Sequence, residues 1–287
     1  IMSNIDSVLG MALAQSGLEG LVTIPAGTDW NSELMRIVNV LHTEAVNTLL
    51  YNAAGELTFE GIKNLEVIIN AVKTITSDDL AILTDSKLVM SNIDMVLDMA
   101  LTQSGLKELV TIPAGTDWNS ELMNIANVLN TAAFNTLLYK DGKMDFTRLS
   151  NPEILIEAIK TITNNDLAIF TDSNLIMTNV PGVLDMVLTQ SGLKDVVTIP
   201  AGTDWNSELM RIVDVLNTAA FNLVAYKDGK FDLTGINNLG TIIEAVKTIT
   251  SDDLAIFTDS KLIMSNIDSV LGMALAQSGL EGLVTIP

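Results

Sequence analysis

The sequence predicts an all-α chain built from tandem repeats of a four-helix unit of roughly 87 residues, joined by short extended apolar connectors into a rod-like or superhelical array. Three observations predict it. The string Thr-Ile-Pro-Ala-Gly-Thr-Asp-Trp-Asn-Ser-Glu-Leu-Met occurs at Thr23–Met35, Thr111–Met123 and Thr198–Met210, in steps of 88 and 87 residues, and begins again at Thr285–Pro287. Between these strings, apolar residues return every three or four positions, the period of an amphipathic helix. Finally, Ile1–Pro25 is identical to Ile263–Pro287, three units further on, which marks a longer period of duplication. The expected boundaries are the C-terminal part of a truncated repeat at 1–22, repeats at 23–110, 111–197 and 198–284, and the start of another at 285–287. The second and third copies agree at about two thirds of positions. The identity of Ile1–Pro25 with Ile263–Pro287 indicates recent duplication, so sameness between copies says little about function.

The first helix of the unit is expected from about Trp30 to Tyr51. Leu34, Ile37, Val38, Leu41, Ala45 and Leu49 form its apolar face, with Thr28 or Asp29 as the cap. The second begins near Leu65. Its start is dated by Asn151-Pro152-Glu153: a capping Asn, a Pro at the first helical position and an acid in the first turn, with Asn64 and Asn238 as equivalents. The third is short. Thr76, Thr163 and Thr250 each precede an Asp by three residues (Asp79, Asp166, Asp253), a capping box with Asp in place of Glu. The fourth is dated by Pro181, read as lying in the first turn after Asn179, which makes Asn92 and Asn266 the matching caps. It is expected to stop at Gly17, Gly105, Gly192 and Gly279.

The connector that follows is apolar and β-branched, unlike a Gly/Ser-rich flexible linker. Leu109, Val110 and Ile112 are expected to be buried, locking each copy to the next. The expected joint consists of Ile24, Pro25 and Trp30, of Ile112, Pro113 and Trp118, and of Ile199, Pro200 and Trp205.

Composition narrows the function classes. The hydrophobic fraction is 48% and the mean hydropathy +0.39. No apolar run approaches the length of about 18 residues that a spanning helix needs, so membrane insertion of this segment is not expected. The net charge is −20, with 15 basic against 35 acidic residues. Nucleic acid and anionic membrane surfaces are therefore not expected partners. Cysteine is absent, which removes disulfides, thiolate metal sites and a cysteine nucleophile together.

Each chemically suggestive cluster has a plainer reading beside it. Asp29-Trp30-Asn31-Ser32-Glu33, repeated around Trp118 and Trp205, has the residue types that stack on and hydrogen-bond a sugar; the preferred reading is a capped helix start with Trp wedged into the joint, since caps use these same residue types. Tyr139–Asp145 and Tyr226–Asp232 carry acids around a Gly, but not at calcium-loop spacing, and the first copy has Asn52-Ala53-Ala54-Gly55-Glu56 there. These read as plain turns. Asp78-Asp79 and Asp252-Asp253 sit where a helix start favours acids. His42, the single histidine, is replaced by Asn130 and Asn217 in the other copies. The methionines recur at helical spacing and are read as core filling. No catalytic, cofactor or metal residues are nominated.

The expectation is therefore a non-catalytic structural segment of an extracellular or cell-surface stalk, fibre or filament. Its expected partnership is self-association between copies and between chains. The alternative is a helical-repeat adhesin or scaffold with a protein or glycan ligand.

Overall fold

The computed structural model describes residues 5–16, 22–190, 194–195 and 197–280. These are mostly helical. In chain order the first elements are α1 (Ile5–Ser16), α2 (Trp30–Leu41), α3 (Glu44–Leu50), a 3-10 turn Gly61–Lys63, α4 (Leu65–Lys73), α5 (Ser77–Asp85), α6 (Lys87–Met90), α7 (Ile93–Ser104) and α8 (Trp118–Leu129). There follow α9 (Ala132–Leu138), β1 (Tyr139–Lys140), β2 (Lys143–Met144), a 3-10 turn Phe146–Ser150, α10 (Pro152–Lys160), α11 (Asn164–Asp172) and α12 (Asn174–Gln190). The last are α13 (Trp205–Asn217), α14 (Ala219–Ala225), β3 (Tyr226–Lys227), β4 (Lys230–Phe231), a 3-10 turn Leu233–Asn237, α15 (Leu239–Thr248), α16 (Ser251–Asp259) and α17 (Lys261–Ser278).

The chain forms two compact units. One is Ile1–Thr131 with Ile169–Asn179; the other is Ala132–Ala168 with Val180–Pro287. In the first, α3 packs on α4, and α4 and α5 also pack on α8. Its core includes Val40, Ala45, Leu65, Ile68, Ala71 and Leu83. In the second, α9 packs on α10, α14 on α15, and α10 on α13. There Leu137, Leu155, Ala158 and Val187 form one core cluster.

Local signals place most helix starts. Asp29, not Thr28, caps α2. Asn64, Asn151 and Asn238 cap α4, α10 and α15, with Pro152 in the first turn of α10. Thr76 and Asp79, Thr163 and Asp166, and Thr250 and Asp253 exchange reciprocal hydrogen bonds across the first turn of α5, α11 and α16. Gly105 and Gly279 end α7 and α17 in the left-handed region, each at φ 73°. The expected stops at Gly17 and Gly192 lie outside the described residues.

Four expectations need correction. The first helix of the unit is broken: α2 ends at Leu41 and α3 starts at Glu44. Thr43 turns extended (ψ 146°), donates its hydroxyl to Val40 O and accepts from Val46 N–H. Thr218 does the same between α13 and α14. A capping threonine inside an apolar periodicity thus starts a new helix. In the second and third copies the fourth helix starts earlier than its asparagine, whereas in the first α7 begins at Ile93, directly after Asn92. Asn179 and Asn266 lie inside α12 and α17, Pro181 is well inside α12, and Asn92 makes no side-chain cap. Ser86 and Ser260 are the residues that cap, accepting from Val89 and Ile263 N–H.

Connector residues Leu109, Val110 and Ile112 are half-buried rather than buried. Leu109 and Val110 follow α7 in a turn, both N–H groups donating to Leu106 O at 2.9 Å, so the apolar string is not extended along its whole length. Among the methionines, Met35 and Met264 are exposed, and Met90, Met123, Met177 and Met210 are half-buried. None of these six belongs to the buried core.

The turns read as plain are two-residue hairpins. Tyr139 pairs with Met144 and Tyr226 with Phe231. The Asp-Gly tips have positive φ at both residues (Asp141 52°, Gly142 76°), which matches the right-handed twist of a tight hairpin.

Candidate functional site at the Thr-Ile-Pro connectors

Each connector turns before its helix. Thr28 donates its N–H (3.3 Å) and hydroxyl (2.6 Å) back to Pro25 O, and Gly27 between them takes φ +75°. That is the position of a type II turn where glycine is favoured. The same hydroxyl closure recurs at Thr116–Pro113 and Thr203–Pro200, each at 2.7 Å. Asp29 then accepts from Ser32 Oγ (2.5 Å) and Asn31 N–H (3.1 Å). The Ser32 hydroxyl bond, followed by the Asn31 N–H, lowers the Asp29 carboxyl below its ordinary value. The matching carboxyl of Asp204 is lowered chiefly by Ser207.

The tryptophan next to this cap is gripped from 24 residues upstream. Trp30 Nε1 donates to Asp6 Oδ1 and Trp118 Nε1 to Asp94 Oδ1, both at 2.7 Å. Both rings are buried, so neither offers an open face to a sugar. In the third connector the residue 24 positions upstream of Trp205 is Pro181, which has no acceptor side chain. Trp205 is only half-buried.

Three residues into the helix stands a buried carboxylate. Glu33 Oε1 accepts from Ser86 Oγ (2.7 Å) and Leu88 N–H (3.0 Å). Glu121 accepts from Ser173 Oγ, Asn174 N–H (3.1 Å) and Leu175 N–H (3.1 Å). Glu208 accepts from Ser260 Oγ and Leu262 N–H (3.1 Å). Each glutamate therefore covers the start of another helix, α6, α12 or α17, beside that helix's own serine. Arg36 lies 3.5 Å from Glu33, and Arg211 3.6 Å from Glu208. In the second copy Asn124 occupies this position and instead donates to Asp172 O at 2.7 Å. Burial pushes the Glu33 carboxyl up. The Leu88 N–H, Ser86 hydroxyl, Lys87 N–H and Arg36 charge outweigh it, and the carboxyl is held below its ordinary value.

The third grip comes from the asparagines read as caps. Asn92 accepts from Thr23 N–H (2.6 Å) and donates to Thr23 O (2.9 Å) and Leu88 O (2.7 Å). Asn179 does the same with Thr111 (2.7 and 2.9 Å) and Leu175 O. Asn266 repeats it with Thr198 (2.6 and 2.8 Å) and Leu262 O. One amide satisfies a connector residue's N–H and C=O as a neighbouring strand would, and uses both of its own N–H groups.

The nominated joint residues thus divide. Trp30 and Trp118 are hydrogen-bonded anchors, whereas Ile24, Pro25, Ile112, Pro113, Ile199 and Pro200 are half-buried chain leading to them. Glu33, Glu121, Glu208, Asp6, Asp94 and the three asparagines were not nominated. The available signal was an Asn 68 or 69 residues after each connector threonine. His42 Nδ1 lies 2.7 Å from Val38 O, one turn back. Asn130 and Asn217 donate to the carbonyl at the same offset, so the three share a helix-ending role. Among the described residues, no three His, Cys, Asp or Glu side chains gather where a metal ion could be held. No helix among them is long and apolar enough to cross a membrane. The polar groups of the connectors face one another as satisfied donor–acceptor pairs, which is the chemistry of attachment.

Comparison of the chain with family models, curated proteins and solved structures finds no match.

Proposed function

We propose that this chain is a non-catalytic structural segment: tandem helical copies with boundaries at 23–110, 111–197 and 198–284, forming part of a long extracellular or cell-surface stalk, fibre or filament. The observation that carries the reading is what the repeated polar residues do. The asparagine clamp and the buried glutamate occur at all three connectors, and each binds the chain to itself. A protein whose recurrent polar groups are used internally gains length and stiffness from each added copy. The net charge of −20 keeps such arrays apart in solution.

Hydrogen exchange tests the stiffness. The Thr23, Thr111 and Thr198 amides should exchange as slowly as helix interiors. Exchange at loop rates, with copies tumbling independently in relaxation measurements, would remove the rod. Electron microscopy of the native material should show rods or fibres lengthening by a constant step per copy.

The alternative is an adhesin or scaffold for a protein or glycan. One observation favours it: Leu34, Met35, Val38 and Leu41 make an exposed apolar stripe along α2, and such a stripe is a common docking feature.

A further inference from the structure

One contact between α10 and α14 sets an amine against a carboxamide. Lys160, the last residue of α10, donates its Nζ to Asn222 Oδ1 at 2.8 Å, across 62 residues of sequence. Both residues are half-buried. The amide is held in one orientation, because Asn222 Nδ2 donates to Thr218 O, one turn back, at 2.9 Å. That bond turns the amide oxygen towards the lysine. Nζ also lies 5.1 Å from the centre of the Tyr226 ring, which meets Phe231 edge-on at 5.7 Å. Burial pushes the Tyr226 hydroxyl above its ordinary value, and the charges of Glu157 and Glu153 add to the rise. Both acids stand on α10 with Lys160, and Glu157 precedes it by three positions, a spacing at which helix side chains meet. Lys160 is in none of the salt bridges among the described residues. Lys73 holds the same place in the preceding copy, and there burial lowers the ammonium below its ordinary value.

We propose that Lys160 and Asn222 become joined by an isopeptide bond that the folded chain forms on itself. Neutral Nζ adds to Asn222 Cγ, and the Nδ2 nitrogen leaves. One C–N bond forms and one breaks. A lysine ammonium and a carboxamide become a secondary amide and an ammonium ion, so nothing is oxidised or reduced and no co-reactant is consumed. Glu157 takes the proton from Nζ and returns it to the departing nitrogen. A nitrogen bonded to an amide oxygen lies close to the amide carbon, near the roughly 3–3.5 Å from which such additions start. Holding the two groups there replaces a slow bimolecular reaction with an intramolecular one. The product ties α10 to α14 covalently, so that neither heat nor a pull along the chain separates them.

Mass spectrometry of the full 287-residue chain tests this. The intact mass should fall at least one ammonia below the mass of the sequence. An asparagine that cyclises to a succinimide also loses ammonia, so a protease digest decides: the peptides carrying Lys160 and Asn222 should appear as one branched species. Lys160→Arg keeps the charge and a hydrogen-bond donor, and circular dichroism should show it folded. In that variant the branched species should vanish and one ammonia should return to the mass. Glu157→Gln should leave most chains unlinked. Separate linear peptides in the parent digest, a branched species that survives Lys160→Arg, or complete linkage in Glu157→Gln would overturn the proposal. Slow-exchanging connectors in a chain without the branched peptide would sink this inference alone; fast-exchanging connectors would sink the structural reading itself.

Discussion

The connectors at Trp118 and Trp205 share a sequence from Thr to Met but not the same support. At the first, Asp94 holds the indole N–H and the ring is buried. At the second, Pro181 stands in place of the aspartate and the ring is half-buried. The asparagine clamp and the buried glutamate are present at both. The difference separates two kinds of attachment. The clamp and the glutamate join segments of one copy, from its connector to its own fourth helix. The aspartate joins a tryptophan to the helix that ends the copy before. The two kinds of contact thus link different segments of the chain, and only the tryptophan contact differs between the two connectors.

Substitution at the ring itself should break the comparison most sharply. Trp118→Gly should cost about 4–6 kcal/mol, from loss of a buried aromatic ring together with the helix penalty of glycine. Trp205→Gly should cost visibly less, read as the smaller drop in urea midpoint. Equal losses would mean that Asp94 does not matter to how the ring is held. Removing the shared element comes next. Glu121→Ala leaves the Ser173 hydroxyl and the Asn174 and Leu175 N–H groups without their acceptor. It should cost about 3 kcal/mol, the scale of a buried charged hydrogen-bond partner removed. Glu208→Ala should cost a similar amount, since the contact is common to both connectors.

Exchanging the differing residue sharpens the comparison. Asp94→Ala should cost about 1–2 kcal/mol by orphaning the Trp118 N–H. Pro181→Asp should raise the melting temperature, because it supplies the missing acceptor for Trp205 and restores a helical N–H. The smallest effect is on pH dependence. The Glu33 carboxyl is held below its ordinary value of 4.5 in the folded chain. The unfolded chain then binds more protons in that range, so stability rises with pH. The Glu33 contribution is complete above pH 4.5 and is lost as pH falls through the lower folded value. Melts between pH 5 and 3 should show a shallower acid decline in Glu33→Gln than in the parent chain.

Positions where sequence and structure agree share a length scale. The Asn64, Asn151 and Asn238 caps, the three Thr–Asp boxes and the Gly105 and Gly279 stops act within one helical turn. Residue type and spacing suffice there. The asparagines of the fourth helix show where that logic stops. Asn92 looks like Asn64 in a linear string, yet it pairs with Thr23, 69 residues away. Nothing local distinguishes an amide that caps from an amide that clamps. The first helix failed for a related reason: its apolar period continues through Thr43, and periodicity does not register a threonine that ends one helix and caps the next. Gly61 and Gly235 are another case. A Cβ there would fall 2.1 and 2.2 Å from the carbonyls of Leu49 and Val224, yet Arg148 holds the matching place in the second copy and donates to Thr136 O at 2.8 Å.

Alone, the sequence determined the all-α class, the period of the copies and where most helices begin, because capping and amphipathic spacing are short-range consequences of backbone donors and side-chain reach. Tertiary structure decided which carboxylates are buried, which amides hold the connectors and which faces remain open. Asn64 and Asn92 are the same residue type just before a helix; only the segment that the fold brings alongside makes one a cap and the other a clamp on Thr23.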